Sequence, residues 1–239
     1  EGLLKVPTIP LKNGMAHPAI GFGTYKVGVI PASASAAVAG QAQDQEQRGA
    51  KDCITDALQA GYRFLECAQF YCNEAEVGKA IVESGIPRED LFLVSKVWTT
   101  TIEQGPEAVR KQLMTTLNDL QTSYLDLYLI HWPVPTHHVT AYQTLIDLKK
   151  EGLIKGIGVS NYAWEDYLEL KETFAEEDLP LVNQIEINPF LYRSKTISNF
   201  EKEGVVMQSY RSLRDGKAMN DPTLQSIAAA YPGRTVAQI

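Results

Sequence analysis

The chain has 239 residues, of which 44% are hydrophobic and 21% charged, and its net charge is −7. That is enough apolar material for a sizeable core, at a size where α/β barrels form single domains, so no second domain is expected. The acidic balance and dispersed basic residues argue against nucleic acid or an anionic membrane as partner. With no apolar run near the roughly 18 residues of a membrane span and no N-terminal signal pattern, the expectation is a soluble, cytoplasmic protein.

In chain order, residues 8–20 read as two short extended pieces around the Asn13-Gly14 turn signal, a hairpin suited to plugging the bottom of a barrel. A first sheet strand is expected at 20–25. Residues 28–49 are rich in Ala, Ser and Gln, with neither apolar periodicity nor strong charge, and read as a loop insertion. Following the first strand, it would be a substrate-covering loop or a mobile linker. A helix at 51–60 turns Ile54, Ala57 and Leu58 inward and ends at Gly61. Residues 62–74 run from a buried strand into a helix start, with Asn73 and Glu76 as capping residues, and that helix continues to Ser84 with Val77, Ala80 and Ile81 on one stripe.

A strand at 91–97 precedes a helix opened by Pro106, whose Val109, Leu113, Leu117 and Leu120 share one face. Met114 is expected to widen that buried stripe. Residues 125–131 are nearly all apolar, as in a parallel strand covered on both faces. A helix at 141–151 capped by Gly152, strands at 154–159, 181–187 and 205–210, and helices at 163–173, 195–203 and 221–230 follow, with a further helix opening at 235–239. Strict β-then-α alternation predicts a parallel (β/α)8 TIM-type barrel with right-handed crossovers, of which seven strands are identifiable and the eighth is absent from this sequence. A monomer is expected unless another chain covers the open barrel edge. Cys53, Cys67 and Cys72 are odd in number and not at metal-ligand spacing, so neither a disulfide framework nor a metal site is expected, and Cys72 reads as a small filler.

Three of these strands deliver polar groups to their carboxyl ends, where a parallel barrel carries its chemistry: Glu66 and Tyr71 after the second, Lys96 on the third and His131 after the fourth. A lone histidine on an apolar strand is more often a satisfied core residue, and a lone half-buried tyrosine is ordinary. Four such groups at neighbouring strand ends are hard to explain as packing. An inward lysine is costly without a partner, and Glu66 is available. A tyrosine of ordinary pKa, about 10, becomes a useful proton donor near neutral pH if a cation lowers that value, so the set reads as a proton-donating site for a carbonyl. No Gly-x-Gly-x-x-Gly lies between a strand and a helix, which leaves a Rossmann site unsupported.

Gly21-Phe-Gly-Thr-Tyr25, residues 62–74, Ser95-Lys-Val-Trp98, Leu129-Ile-His-Trp-Pro133, Gly158-Val-Ser-Asn161 and Val182-Asn-Gln-Ile-Glu-Ile-Asn-Pro189, taken together and in this order, closely resemble the aldo-keto reductase family from about Thr8 to the end of the chain. The resemblance implies reduction of a small-molecule aldehyde or ketone by hydride from a nicotinamide cofactor, NADPH in the family. Tyr71 would be the acid, Lys96 with Glu66 would tune it, and His131 would orient the carbonyl. Ser160, Asn161 and Gln184 would hold the carboxamide and Tyr210 would stack on its ring, with Thr24, Tyr25, Arg211 and Leu213 completing the cofactor contacts. From the residues alone, Ser160 and Asn161 also read as a helix cap and Gln184 as a barrel-interior amide. Tyr25, Trp98 and Trp132 match substrate-pocket positions, where flat apolar walls suit aromatic or alkyl carbonyls.

Two departures stand out. Glu66 replaces the family's aspartate and extends its carboxylate by roughly 1 Å. Arg211-Ser212-Leu213-Arg214 replaces Ser-Pro-Leu-Gly, and its arginines would suit a pyrophosphate. The rival readings are a cofactor-independent isomerase or lyase using the same Tyr and Lys, and a non-catalytic cofactor-binding or regulatory protein on the same fold.

Overall fold

The structure, a computed structural model, describes residues 6–28 and 49–239. The loop insertion expected at 28–49 therefore lies outside the described residues apart from its two ends.

Asn13-Gly14 turns the chain as expected, with Gly14 at φ +86°, and brings β1 (Thr8–Pro10) against β2 (Ala16–Pro18) in an antiparallel pair, Thr8 opposite Pro18. The hairpin packs His17 onto the rings of Phe64 and Phe92, at 5.0 and 4.9 Å between centroids. Those phenylalanines each begin a strand of the barrel, so the hairpin closes the end of the barrel where strands start.

Seven parallel strands follow in spatial order β3 (Phe22–Gly23), β4 (Phe64–Glu66), β5 (Phe92–Val97), β6 (Leu125–Ile130), β7 (Ile154–Ser160), β8 (Val182–Glu186) and β9 (Val206–Tyr210). They form a nearly closed barrel of the (β/α)8 type. Side chains alternate across each strand. Phe64, Phe92, Val94, Leu127, Leu129 and Val182 fill the barrel interior, while Leu65, Leu93, Tyr128 and Ile130 point outward to a larger core beneath the helices. The same alternation places Glu66, Lys96, His131, Gln184 and Tyr210 on the inward register, all at or next to a carboxyl end except Gln184, which is the middle residue of β8.

Among the described residues the helices are α1 (Ala50–Gln59), α2 (Glu74–Ser84), α3 (Thr99–Glu103), α4 (Pro106–Asp119), α5 (His138–Lys150), α6 (Trp164–Thr173), α7 (Ser194–Lys202) and α8 (Pro222–Ala229). Among the described residues, none is long and apolar enough to cross a membrane. α4 buries Val109, Leu113 and Leu117 as its stripe predicts, but Met114 is 50% exposed, because it sits one helical step past Leu113 and faces away from the sheet. The expected caps of α2 are employed elsewhere. Glu76 accepts from the backbone N–H of Ala50 at 2.8 Å and caps α1, and the Asn73 amide donates to the carbonyls of Thr24 and Val27. The first barrel strand is two residues long rather than six, and the helix opening expected at 235–239 is a 3₁₀ turn, Val236–Gln238.

α2 and α4 meet backbone to backbone at Gly78, where a Cβ would lie 2.1 Å from the carbonyl oxygen of Asp119. Gly78→Ala is therefore expected to destabilise the protein by about 1–3 kcal/mol, the usual cost of overpacking. A urea midpoint equal to that of the wild type would contradict this close approach.

Candidate active site

β4 ends at Glu66, and the 3₁₀ turn Gln69–Tyr71 bends Tyr71 back over the barrel mouth before exposed Cys72 stops it in the left-handed conformation, φ +55°. Lys96 Nζ donates to Tyr71 Oη at 2.9 Å and to the Cys67 carbonyl at 3.1 Å, and it is ion-paired with Glu66 Oε1. Its three N–H donors thus meet three acceptors. Tyr71 Oη in turn donates to Glu66 Oε1 at 3.0 Å. The His131 ring stands edge-on to Tyr71, 5.9 Å between centroids, and Nδ1 is buried with no hydrogen-bond partner. The four side chains predicted to act together are brought together, and all are buried.

Burial decides the electrostatics. It raises the Tyr71 hydroxyl above the ordinary tyrosine value, and it lowers the Lys96 ammonium well below the ordinary lysine value. This corrects the expectation that Tyr71 is lowered: desolvation, with Cys67, Tyr25 and Tyr210 adding to it, raises the hydroxyl, so Tyr71 holds its proton firmly. Burial, with Lys96 adding to it, pushes His131 down to about 2, so the imidazole is neutral at neutral pH.

The groups expected to hold a carboxamide also converge, from the end of β7, the middle of β8 and the end of β9. Ser160 Oγ and the Asn161 backbone N–H both donate to the Gln184 carbonyl at 2.9 Å. Asn161, at φ +61°, donates through Nδ2 to the His131 carbonyl at 3.0 Å, and its Oδ1 accepts from Tyr210 Oη at 2.9 Å. Helix capping is not their role, since Asp166 accepts from the Ala163 N–H at the start of α6. A primary amide needs donors and acceptors side by side; the inward Gln184 side-chain amide carries both, beside the remaining acceptor capacity of Asn161 Oδ1. Tyr210 offers a partly buried ring, while Thr24 is fully buried next to the Glu66 end of β4, to whose carbonyl its backbone N–H donates at 2.9 Å. The donor set fits a nicotinamide.

Arg211 is engaged otherwise, with Glu186 at 3.4 Å and Asp215 at 3.0 Å, and Asp215 also pairs with Lys26 at 3.6 Å. Leu213 is 48% exposed, and the Arg214 guanidinium lies over the Phe190 ring at 4.8 Å. Neither arginine joins the amide cluster.

Of the aromatic residues, Tyr25 packs 5.1 Å from the Tyr71 ring, Trp98 stands 4.9 Å from His131, and Trp132 is 43% exposed at the rim. Two residues escaped the sequence reading. Phe70 stacks on Trp98 at 4.1 Å, and Gln69 accepts from the Trp98 N–H at 2.8 Å while donating to Thr101 at 2.7 Å. Their signal was adjacency: both lie between Glu66 and Tyr71, in the turn that delivers the tyrosine. Among the described residues no cluster of His, Cys, Asp and Glu is suited to a metal ion.

Residues 19–226 match the model of the Aldo/keto reductase family. The relatives include an aldo-keto reductase of Mycolicibacterium smegmatis, 36% identical over 98% of this chain and 77% of its own length. A methylglyoxal reductase of Escherichia coli O157:H7 is 34% identical over 94% of this chain and 77% of its own. A solved aldo-keto reductase of Bombyx mori in complex with NADP superposes with a TM-score of 0.80 at 25% identity, covering 98% of this chain and 78% of that one. A family match over most of the sequence and relatives above 30% identity agree with the barrel and its mouth: the chain belongs to the aldo/keto reductase family.

Proposed function

We propose that this protein reduces aldehydes or ketones to alcohols with NADPH, and that Tyr71 is the general acid. The observation that carries this reading is the contact of Tyr71 Oη with Lys96 Nζ at 2.9 Å, beside His131 in the barrel mouth. The cofactor would supply hydride, with Ser160, Asn161 and Gln184 holding its carboxamide and Tyr210 against its ring.

The chain's own residues handle the oxygen of the substrate. Neutral His131 orients the carbonyl by hydrogen bonding. As the carbonyl carbon is reduced, its oxygen gains negative charge and becomes a strong base. The Tyr71 proton then moves to that oxygen, and the tyrosinate left behind is stabilised by Lys96, whose ammonium is already in place. Glu66, ion-paired with Lys96, opposes the burial penalty on its charge. Water restores the tyrosine proton after the alcohol leaves. Tyr25, Phe70, Trp98 and Trp132 make an aromatic wall for a compact apolar carbonyl substituent, and methylglyoxal, named for the E. coli relative, is a reasonable first substrate to assay.

One observation favours a second reading, a cofactor-binding protein with little turnover. The Tyr71 hydroxyl donates to Glu66 at 3.0 Å rather than toward the mouth. A cofactor-independent isomerase would leave the amide cluster around Asn161 without work. Carbonyl-dependent NADPH oxidation, alongside binding followed by nicotinamide fluorescence, separates the readings: turnover supports the reductase, and binding without turnover supports its rival.

Tyr71→Phe is expected to lower kcat by about 10²-fold or more while leaving cofactor affinity nearly unchanged, since general acid catalysis is worth that much. A variant that keeps most of the wild-type kcat would remove Tyr71 from the role. Glu66→Asp draws the carboxylate back from the tyrosine hydroxyl and is expected to raise kcat/KM by up to about tenfold, the equivalent of one hydrogen bond of about 1.4 kcal/mol released in the transition state. Unchanged or reduced kcat/KM would mean that the backbone is adapted to the longer acid.

A further inference from the structure

On the outer side of the sheet, directly behind this site, lies a carboxylate to which the reaction gives no work. Glu74 opens α2 three residues after Tyr71 and is 5% exposed. Its partners are two hydroxyls: Ser95 Oγ donates to Oε1 at 2.6 Å, and Thr116 Oγ1 donates to Oε2 at 3.0 Å. Ser95 immediately precedes Lys96 on β5, with the opposite register, so the serine faces the helices while the lysine faces the barrel. Thr116 belongs to α4 and also accepts from Gln112 Nε2 at 3.3 Å. One side chain therefore ties the turn bearing Tyr71 to the strand bearing Lys96 and anchors both on α4.

The groups facing Glu74 are acidic or neutral. Asp119 approaches from α4, Cys67 from just past β4, and Tyr128 from β6, its buried hydroxyl next to that of Thr116. Among the described residues no lysine, arginine or histidine pairs with it, and the amino end of α2 is its one source of positive potential. One turn along α2, the backbone of Gly78 closes directly on Asp119 of α4, so the two helices that flank the carboxylate are in backbone contact. Burial and then Asp119 raise Glu74 while the two hydroxyls hold it down, leaving it at about 7.

We propose that Glu74 is a positioning residue whose protonation state sets how tightly the Tyr71 turn is held against the Lys96 strand. Ionised, it accepts from both hydroxyls in charge-assisted bonds. Protonated, it must donate its own hydrogen, one of the two hydroxyls must turn to receive it, and both contacts become neutral and weaker. The grip is firm above the titration and loose below it. Global stability runs the other way. A glutamate held above its unfolded value of about 4.3 binds its proton more tightly in the folded state, so stability falls as pH rises from that value toward 7. Activity that rises while stability falls over one pH window is a signature that a simple structural strut would not give.

The proposal rests on the reductase reading for its activity arm, and its direct arm needs no turnover. Infrared difference spectra of the full chain are expected to show a protonated carboxylic acid that titrates near neutral pH and is missing in Glu74→Gln. Ser95→Ala, which removes a donor to the ionised form, should move that titration to higher pH. Amide exchange of residues 69–73, corrected for its intrinsic pH dependence, should slow on the ionised side in the wild type alone. In the activity arm, kcat should gain an ascending limb at the same pH, shifted by Ser95→Ala and absent from Glu74→Gln, with cofactor Kd unmoved. If Glu74→Gln leaves the infrared titration in place, or the 69–73 exchange ignores it, the proposal is overturned. If those two arms hold and no carbonyl is reduced, the reductase reading fails and the brace stands.

Discussion

A fully buried ammonium is the constraint on which the rest of this molecule depends. Lys96 has no solvent exposure, and a charge in that position is tolerated only if its hydrogen-bonding capacity is filled. Glu66, Tyr71 and the Cys67 carbonyl fill it. Two of these acceptors are fixed by the end of β4 and the third by the turn that follows, so the register of β4 against β5 and the path of the chain after Glu66 are set by one side chain. Removing a partner from such a buried pair typically costs about 3–5 kcal/mol. The lysine therefore specifies local geometry as well as chemistry.

The alternation of the parallel strands turns that geometry into two layers. The inner face of β5 carries Lys96 into the site, and the outer face carries Ser95 onto Glu74. The turn that bears Tyr71 is held from both sides of one strand. β7 works in a similar way: Asn161, just past its end, reaches the His131 carbonyl and the Tyr210 hydroxyl, linking the groups suited to an amide with those suited to a carbonyl oxygen. Glu66 is where the design is least settled, because its reach lets it hold the ammonium and the hydroxyl proton together.

Much of this was legible in the sequence, because strand order and inward register follow from hydrophobic period and length. The strands ending at Glu66, Lys96 and His131 are so apolar that their polar ends could only face a site. What escaped depended on contacts between distant segments. Glu76 looks like a cap for its own helix, yet it caps α1, twenty-six residues earlier. Arg211 looks like an anion ligand until Glu186 and Asp215 reach it. Met114 was misread by one helical step. Phe70 and Gln69 carry no pattern of their own and gain meaning only when Trp98 folds onto them. The direction of the Tyr71 shift was misjudged because the sequence shows charged neighbours but not how completely water is removed.

On the proposed mechanism, Tyr71 and Lys96 form one proton-donating unit. Single-turnover carbonyl reduction measured for Tyr71→Phe, Lys96→Met and the double variant tests it most directly. Residues that act as a unit are strongly non-additive, so the account predicts that each single change and the double lose nearly the same factor in rate. Losses that multiply in the double variant would show that the two side chains act independently, and the account would be wrong.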